Sequence, residues 1–169
     1  LRLLAPNGRE ILFRRGTVRW AATGPWTTND FVTIEYSADN GGSWITAANA
    51  AALNSANGFY GWNVSALTPG VSYRVRIAGV GGLSAITDLG DAVFEIQGPG
   101  AKTVYLNDGS TANDTWCSAS GAATNSGLSA SAPLDAFQSV IEKYPAIGAG
   151  DEIRVDTGEF DLGRTVYLN

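Results

Sequence analysis

Asn107-Asp108-Gly109-Ser110-Thr111-Ala112-Asn113-Asp114 crowds oxygen donors into a glycine-bearing stretch, the ligand chemistry that calcium takes. Asp108, Asn113 and Asp114 are its candidate ligands. The stretch lacks the spacing and the terminal Glu of an EF-hand, so a loop held by its own Asx turns accounts for the same residues. Trp26 and Trp116 each lie in a polar loop, where an exposed ring could stack on a sugar or a protein partner. Arg74 and Arg76 alternate along one strand and could grip an acidic glycan, but cross-strand pairing with Glu35 is the simpler account of them. Asp151, Asp156, Glu159 and Asp161 form an acidic cluster in sequence. Carboxylate-pair catalysis needs a fixed separation, and nothing in this stretch sets one. Asp151 after Gly150 reads as turn chemistry and Asp156 as the boundary of a strand. Cys117 is the single cysteine: an inert thiol, an attachment point, or the partner of a cysteine elsewhere.

Composition narrows the chemistry further. There is no histidine, which removes His triads, His general bases and His metal ligands together. Carboxylate, Lys, Arg and Tyr catalysis stay open. A net charge of -5 argues against nucleic acid, because neutralising phosphates takes clustered Lys and Arg. No apolar run is long enough to cross a bilayer and no signal peptide is visible, so membrane insertion is not expected. The chain opens on Leu1, contains no Met and stops within an expected strand, so we read it as an interior piece of a longer protein. Abundant Gly, Ser, Thr, Asn and Ala with scarce Lys suit a secreted bacterial protein, extracellular or at the cell surface.

The elements that must position these residues are strands. Val32, Ile34 and Tyr36 alternate with Thr33, Glu35 and Ser37, the period of a half-buried strand. Asp39-Asn40-Gly41-Gly42 then reverses the chain, with Asp39 capping its own turn or, alternatively, holding a ligand. Further strands are expected at 1–5, 11–13, 17–22, 59–64, 72–78 and 92–96, with 47–56 a loop or weak helical turn. Tyr73, Val75 and Ile77 should point inward. Trp20, Trp44 and Trp62 should serve the core. Seven or eight strands in 97 residues imply an all-β, two-sheet sandwich.

Gly98-Pro99-Gly100 is the expected linker. A strand at 103–107, a long polar loop at 108–132 and an amphipathic helix over Pro133–Tyr144 follow, with Ser131 as N-cap and Pro133 in the first turn. Strands at 152–156 and 165–169 close the sequence. Thr103-Val104-Tyr105-Leu106-Asn107 and Thr165-Val166-Tyr167-Leu168-Asn169 are identical. Parallel stacking within one chain or strand exchange between copies would each account for the repeat.

Three resemblances attach to these residues. Ser37-x-Asp39-x-Gly41-x-Ser43-Trp44 resembles the Asp-box hairpin of secreted and carbohydrate-active β proteins. The order Leu4-Ala5-Pro6-Asn7-Gly8-Arg9-Glu10, Val18-Arg19-Trp20, Tyr36 to Trp44, Tyr60-Gly61-Trp62, Tyr73 to Ile77 and Phe94-Glu95-Ile96 is similar to a family. It is the immunoglobulin-like domain of the Ser-Thr-rich, GPI-anchored, cell-wall-assembly (KNH-like) type, over residues 1–97. Arg9 stands where that family more often repeats a glycine. The resemblance implies a stalk, spacer or adhesion module, with no catalytic residues to carry over. Residues 101–169 resemble the N-terminal entry of the right-handed parallel β-helix of pectate-lyase-like proteins. The resemblance rests on Tyr105 to Ser110, Ala132-Pro133-Leu134, Phe137-Gln138, Gly150 to Val155 and Thr157-Gly158-Glu159-Phe160. It implies a helix-capped start and a first rung, with any catalytic rungs further along. The expected function is therefore a non-catalytic structural or adhesion module with weak carbohydrate contact, its partners a polysaccharide or neighbouring copies. The alternative is the front end of a polysaccharide lyase or epimerase. No cofactor is expected, calcium at Asp108, Asn113 and Asp114 being the sole candidate.

Overall fold

A computed structural model describes residues 1–160. The expected strand at 165–169, and with it both readings of the repeated pentapeptide, lies outside the described residues. The chain divides into two compact units, Leu1–Pro99 and Gly100–Asn169.

Alternating residue types build the first unit. Its strands are β1 (Arg2–Ala5), β2 (Ile11–Leu12), β3 (Arg15–Ala21), β4 (Phe31–Ser37), β5 (Ile45–Thr46), β6 (Leu53–Asn54), β7 (Phe59–Asn63), β8 (Gly70–Gly79), β9 (Thr87–Leu89) and β10 (Phe94–Ile96). One sheet has the order β1-β3-β7; the other runs β2-β10-β8-β4-β5, with β6 also on β4 and β9 on β8. β3 buries Val18 and Trp20 and turns Arg15, Thr17 and Arg19 outward. β8 buries Tyr73, Val75 and Ile77, as their alternation predicts. One apolar cluster draws Leu3, Val18, Trp20 and Trp62 from the first sheet and Val32, Ile34, Val75, Ile77, Phe94 and Ile96 from the second. The inner faces of both sheets therefore share a single core. Trp20 meets the polar requirement of its buried indole by donating from Nε1 to the Ser55 carbonyl at 2.8 Å.

Three expectations for this unit change. Residues 47–56 are more than a loop: Ala47 and Ala50 are buried, and Leu53–Asn54 pairs with β4 before a 3-10 turn at Ser55–Asn57. The small side chains of this stretch hid its apolar contribution. Strand β9 was not expected, because Thr87-Asp88-Leu89 is too short to show a period. Trp44 is half-buried and lies outside the buried cluster, since it precedes the short β5 rather than sitting within a core-facing strand.

The second unit holds β11 (Thr103–Leu106), α1 (Phe137–Lys143) and β12 (Glu152–Val155). β11 and β12 pair in parallel, from Thr103 opposite Glu152 to Leu106 opposite Val155. Leu134 forms an isolated parallel bridge with Leu106. Its N–H donates to the Tyr105 carbonyl and its carbonyl accepts from the Asn107 N–H, both at 2.9 Å. Val104, Leu106, Leu134, Val140 and Tyr144 are all fully buried. The expected helix over Pro133–Tyr144 thus starts later, at Phe137, with Ala136 in the N-cap position and no side-chain cap from Ser131. The physical reason is the Leu134 backbone, which is committed to an extended pairing with β11 and is not available to a helical turn.

Gly121 shows how closely the polar loop is packed on this unit. A Cβ there would meet the Asn107 carbonyl oxygen at 2.0 Å and the Leu134 carbonyl oxygen at 2.7 Å, both backbone atoms. Gly148 has open space in the same position. Gly121→Ala is expected to destabilise the second unit by about 1–3 kcal/mol or more, and Gly148→Ala to stay within about 0.5 kcal/mol of the parent. Urea unfolding of each variant and the parent, followed by circular dichroism, distinguishes the two.

Candidate functional site

Asp156 organises the polar residues of the second unit. It immediately follows β12, is 6% exposed, and its carboxylate accepts four backbone N–H groups. Thr115 and Thr157 donate to Oδ1 at 2.7 and 2.9 Å; Trp116 and Cys117 donate to Oδ2 at 2.7 and 2.5 Å. Burial pushes this carboxyl up, but the bonds from Thr115, Cys117, Thr157 and Trp116 together outweigh it and hold the group well below the usual carboxylate range. The carboxylate is thereby consumed as a clamp that ties the loop to the strand end.

Asn107, also fully buried, closes the same loop from its other side. The two N–H bonds of its Nδ2 are shared among the carbonyls of Ser110 (3.0 Å) and Ala119 (2.9 Å) and Asp114 Oδ2 (2.6 Å), while Oδ1 accepts from the Asp108 N–H. Asp108 in turn accepts from the N–H groups of Ser110 and Glu159. Asn113 stands at an exposed tip with φ +65°. Of the three residues read as possible calcium ligands, Asp108 and Asp114 thus turn oxygens onto the loop's own donors. Asp114 Oδ1 is buried without a hydrogen-bond partner. Among the described residues no three His, Cys, Asp or Glu gather as a metal-holding group.

Trp116 is 48% exposed. The Arg154 guanidinium lies 4.8 Å from its ring centroid and 5.7 Å from that of Tyr105, and Glu152 Oε1 sits 3.0 Å from Arg154 Nε. Sequence reasoning missed Arg154; the signal was its place directly opposite Tyr105 in two strands of matching length. Cys117 is half-buried beside this group, with Sγ 3.7 Å from the Leu106 carbonyl. Burial, its bond to Asp156 and the charges of Asp156 and Asp114 push its thiol up to about 11. It therefore stays protonated at neutral pH and is a poor nucleophile.

The first unit treats its candidates similarly. Asp39 accepts from the Ser43 N–H at 2.9 Å and from the hydroxyls of Ser37 (2.6 Å) and Ser43 (2.8 Å), the self-capped turn expected for this hairpin. The Ser37 hydroxyl and the Ser43 N–H and hydroxyl hold its carboxyl down at about 2. Arg76 pairs with Glu35 directly across β4, Nε to Oε2 at 2.6 Å, and lies 4.5 Å from the Trp44 ring centroid. Arg74 stands opposite Ser37 with its Nε buried and unbonded. Trp26 is half-buried and packs against the core cluster, so its ring is less open than its polar loop implied. The structure therefore brings together Asp108, Asp114 and Trp116, but places Trp26, Arg74 and Arg76 in the other unit.

A folded-state carboxyl held below its unfolded value adds stability that is complete above the unfolded pKa, about 3.9, and is lost as pH falls towards the folded one. Asp156→Asn keeps the shape and removes the charge. It is expected to lower the Tm by about 5 °C or more at neutral pH, with the gap to the parent narrowing steadily below about pH 3.9. Thermal unfolding by circular dichroism across that range checks it; a gap independent of pH would place the effect in packing instead.

Comparison of the chain with protein-family models, with curated proteins and with solved structures finds no match, so its functional reading rests on its own residues.

Proposed function

We propose that this chain is a non-catalytic structural and adhesion module of a larger secreted or cell-surface protein. In this reading the first unit is an immunoglobulin-like sandwich and the second the helix-capped start of a right-handed parallel β-helix. The observation that carries the reading is the use made of the reactive side chains. Asp39, Asn107, Asp108, Asp151 and Asp156 each accept or donate to backbone groups that would otherwise lack partners. Among the described residues, side chains spent in this way hold loops in shape. The in-register parallel pair β11–β12, with Leu134 bridging to Leu106, supports a β-helix entry. The shared core of the two sheets supports the sandwich.

Light scattering in calcium and in chelator tests the reading. A mass of 17.6 kDa in both is expected of a self-contained module. Growth into oligomers or filaments would make the chain an assembly unit instead. The Tm is expected to be the same in millimolar calcium and in chelator, because Asp108 and Asp114 already bind loop donors. A calcium-dependent rise of several degrees, abolished by Asp114→Asn, would place a metal at Asp114 Oδ1 and overturn this view of the loop.

A further inference from the structure

The outer face of the β1-β3-β7 sheet concentrates positive charge on a chain whose net charge is -5. β3 turns Arg15, Thr17 and Arg19 outward, and register places Asn63, Gly61 and Phe59 directly opposite them on β7. Cross-strand partners share a face, so the rows Arg15–Asn63, Thr17–Gly61 and Arg19–Phe59 form one surface. Arg2, opposite Ala21, extends it onto β1. No Asp or Glu occurs within β1, β3 or β7. Asp88, at the β1 margin, is engaged by the Leu3 N–H at 2.6 Å. Among the described residues the guanidiniums of Arg2, Arg15 and Arg19 have no ion-pair or hydrogen-bond partner, in contrast to Arg76 with Glu35.

The shape of this face adds to its charge. Phe59 is 63% exposed, an uncommon position for a phenyl ring on a sheet surface. Beside it a concavity of about 420 Å³ is lined by Thr17, Arg19, Trp20, Asn57, Gly58 and Phe59, within the size range of small-ligand sites. A Cβ at Gly61 would meet nothing within 4 Å, so the row between Arg15 and Arg19 is a trough. The two arginines are four residues apart on one strand, about 13 Å.

We propose that this face binds a carboxylated polysaccharide, a chain of uronate sugars. Each guanidinium fork matches a carboxylate in two parallel hydrogen bonds. The exposed phenyl ring offers an apolar plane to a sugar face, and Thr17 and Asn57 offer polar groups to its hydroxyls. Two arginines at this spacing read carboxylates on separated sugars, with the trough taking the ring between them. A nucleic acid fits less well: three guanidiniums face a net negative molecule, which repels a polyanion of phosphate density. The proposal gives the adhesion reading a ligand class and rests on that reading for its context. Sequence analysis placed acidic-glycan contact on Arg74 and Arg76. The alternation Arg15-x-Thr17-x-Arg19, out of phase with the buried Val18 and Trp20, was the signal for the other sheet.

Affinity electrophoresis through gels containing polygalacturonate, its methyl ester or dextran tests the proposal, with a labelled DNA duplex as competitor. Retardation by polygalacturonate alone, weakened by salt, is expected. Arg15→Gln/Arg19→Gln should weaken it at least tenfold, Phe59→Ala should weaken it several-fold, and Arg15→Lys/Arg19→Lys should restore part of it. Arg74→Gln should leave it unchanged. All these side chains except Arg74 are exposed, and an unchanged Tm verifies that each variant is folded. Equal retardation of the parent and the double glutamine variant, equal retardation by the methyl ester, preferential binding of DNA, or self-association through this face would each overturn the proposal. No retardation of the parent by any polymer would also overturn it, while leaving the spacer reading to its own light-scattering test.

Discussion

A backbone amide that leaves a strand must still find an acceptor, and this constraint shapes most of the polar chemistry in the chain. Few of the strands are long, and the connection between β11 and α1 spans residues 107–136 with no helix or paired strand of its own beyond the Leu134 bridge. Such a stretch cannot be folded by periodicity. Beside its own backbone turn bonds, it is held by side chains that act as surrogate strand partners. Asp156 gathers four N–H groups around one carboxylate, and Asn107 bridges three acceptors from a fully buried position. Removing either would leave several part-buried backbone groups unpaired at once, which costs more than the loss of a single hydrogen bond.

The same constraint separates carboxylates that build from carboxylates that could react. A catalytic carboxyl is normally held near the working pH by desolvation or by a like charge. Asp39 and Asp156 are held the other way, below the usual range, by donors aimed at them. They remain anions throughout the neutral range and their lone pairs are occupied. Cys117 beside Asp156 feels the corresponding effect as an acid: a neighbouring anion and partial burial keep its proton on.

Positive charge is divided between the two sheets of the first unit in an equally telling way. On the larger sheet, Arg76 is neutralised by Glu35 and flanked by Trp44, an arrangement that stabilises a sheet surface. On the smaller sheet, the outward arginines have only Thr17, Gly61, Asn63 and Phe59 around them in the ladder. A sheet face of unopposed guanidiniums is costly to keep for stability alone, since like charges on neighbouring rows repel. That asymmetry is what the recognition role proposed for the smaller sheet rests on.

Much of the local structure was legible in the residues themselves. Alternation marked β3, β4 and β8 and assigned Val18, Ile34, Val75 and Ile77 to the core, because a period of two leaves only one way to bury an apolar face. Ser37, Asp39 and Ser43 signalled a self-capped turn, since their bonds span at most four residues and need no distant partner. Elements whose stability comes from elsewhere were not legible. β9 pairs only because β8 presents an edge to it. The start of α1 differs from its sequence reading because Leu134, whose spacing to Phe137, Val140 and Ile141 looks helical, instead pairs with Leu106, nearly thirty residues before it. The fate of each charged side chain was likewise a tertiary decision. Sequence pointed to Glu35 as a partner for Arg74 or Arg76 and did not single out Arg15 and Arg19; strand register decided that Arg76 meets the glutamate and that Arg15 and Arg19 face solvent. Pairing energies act through space over a few ångströms, and it is the fold that decides which residues come within that range.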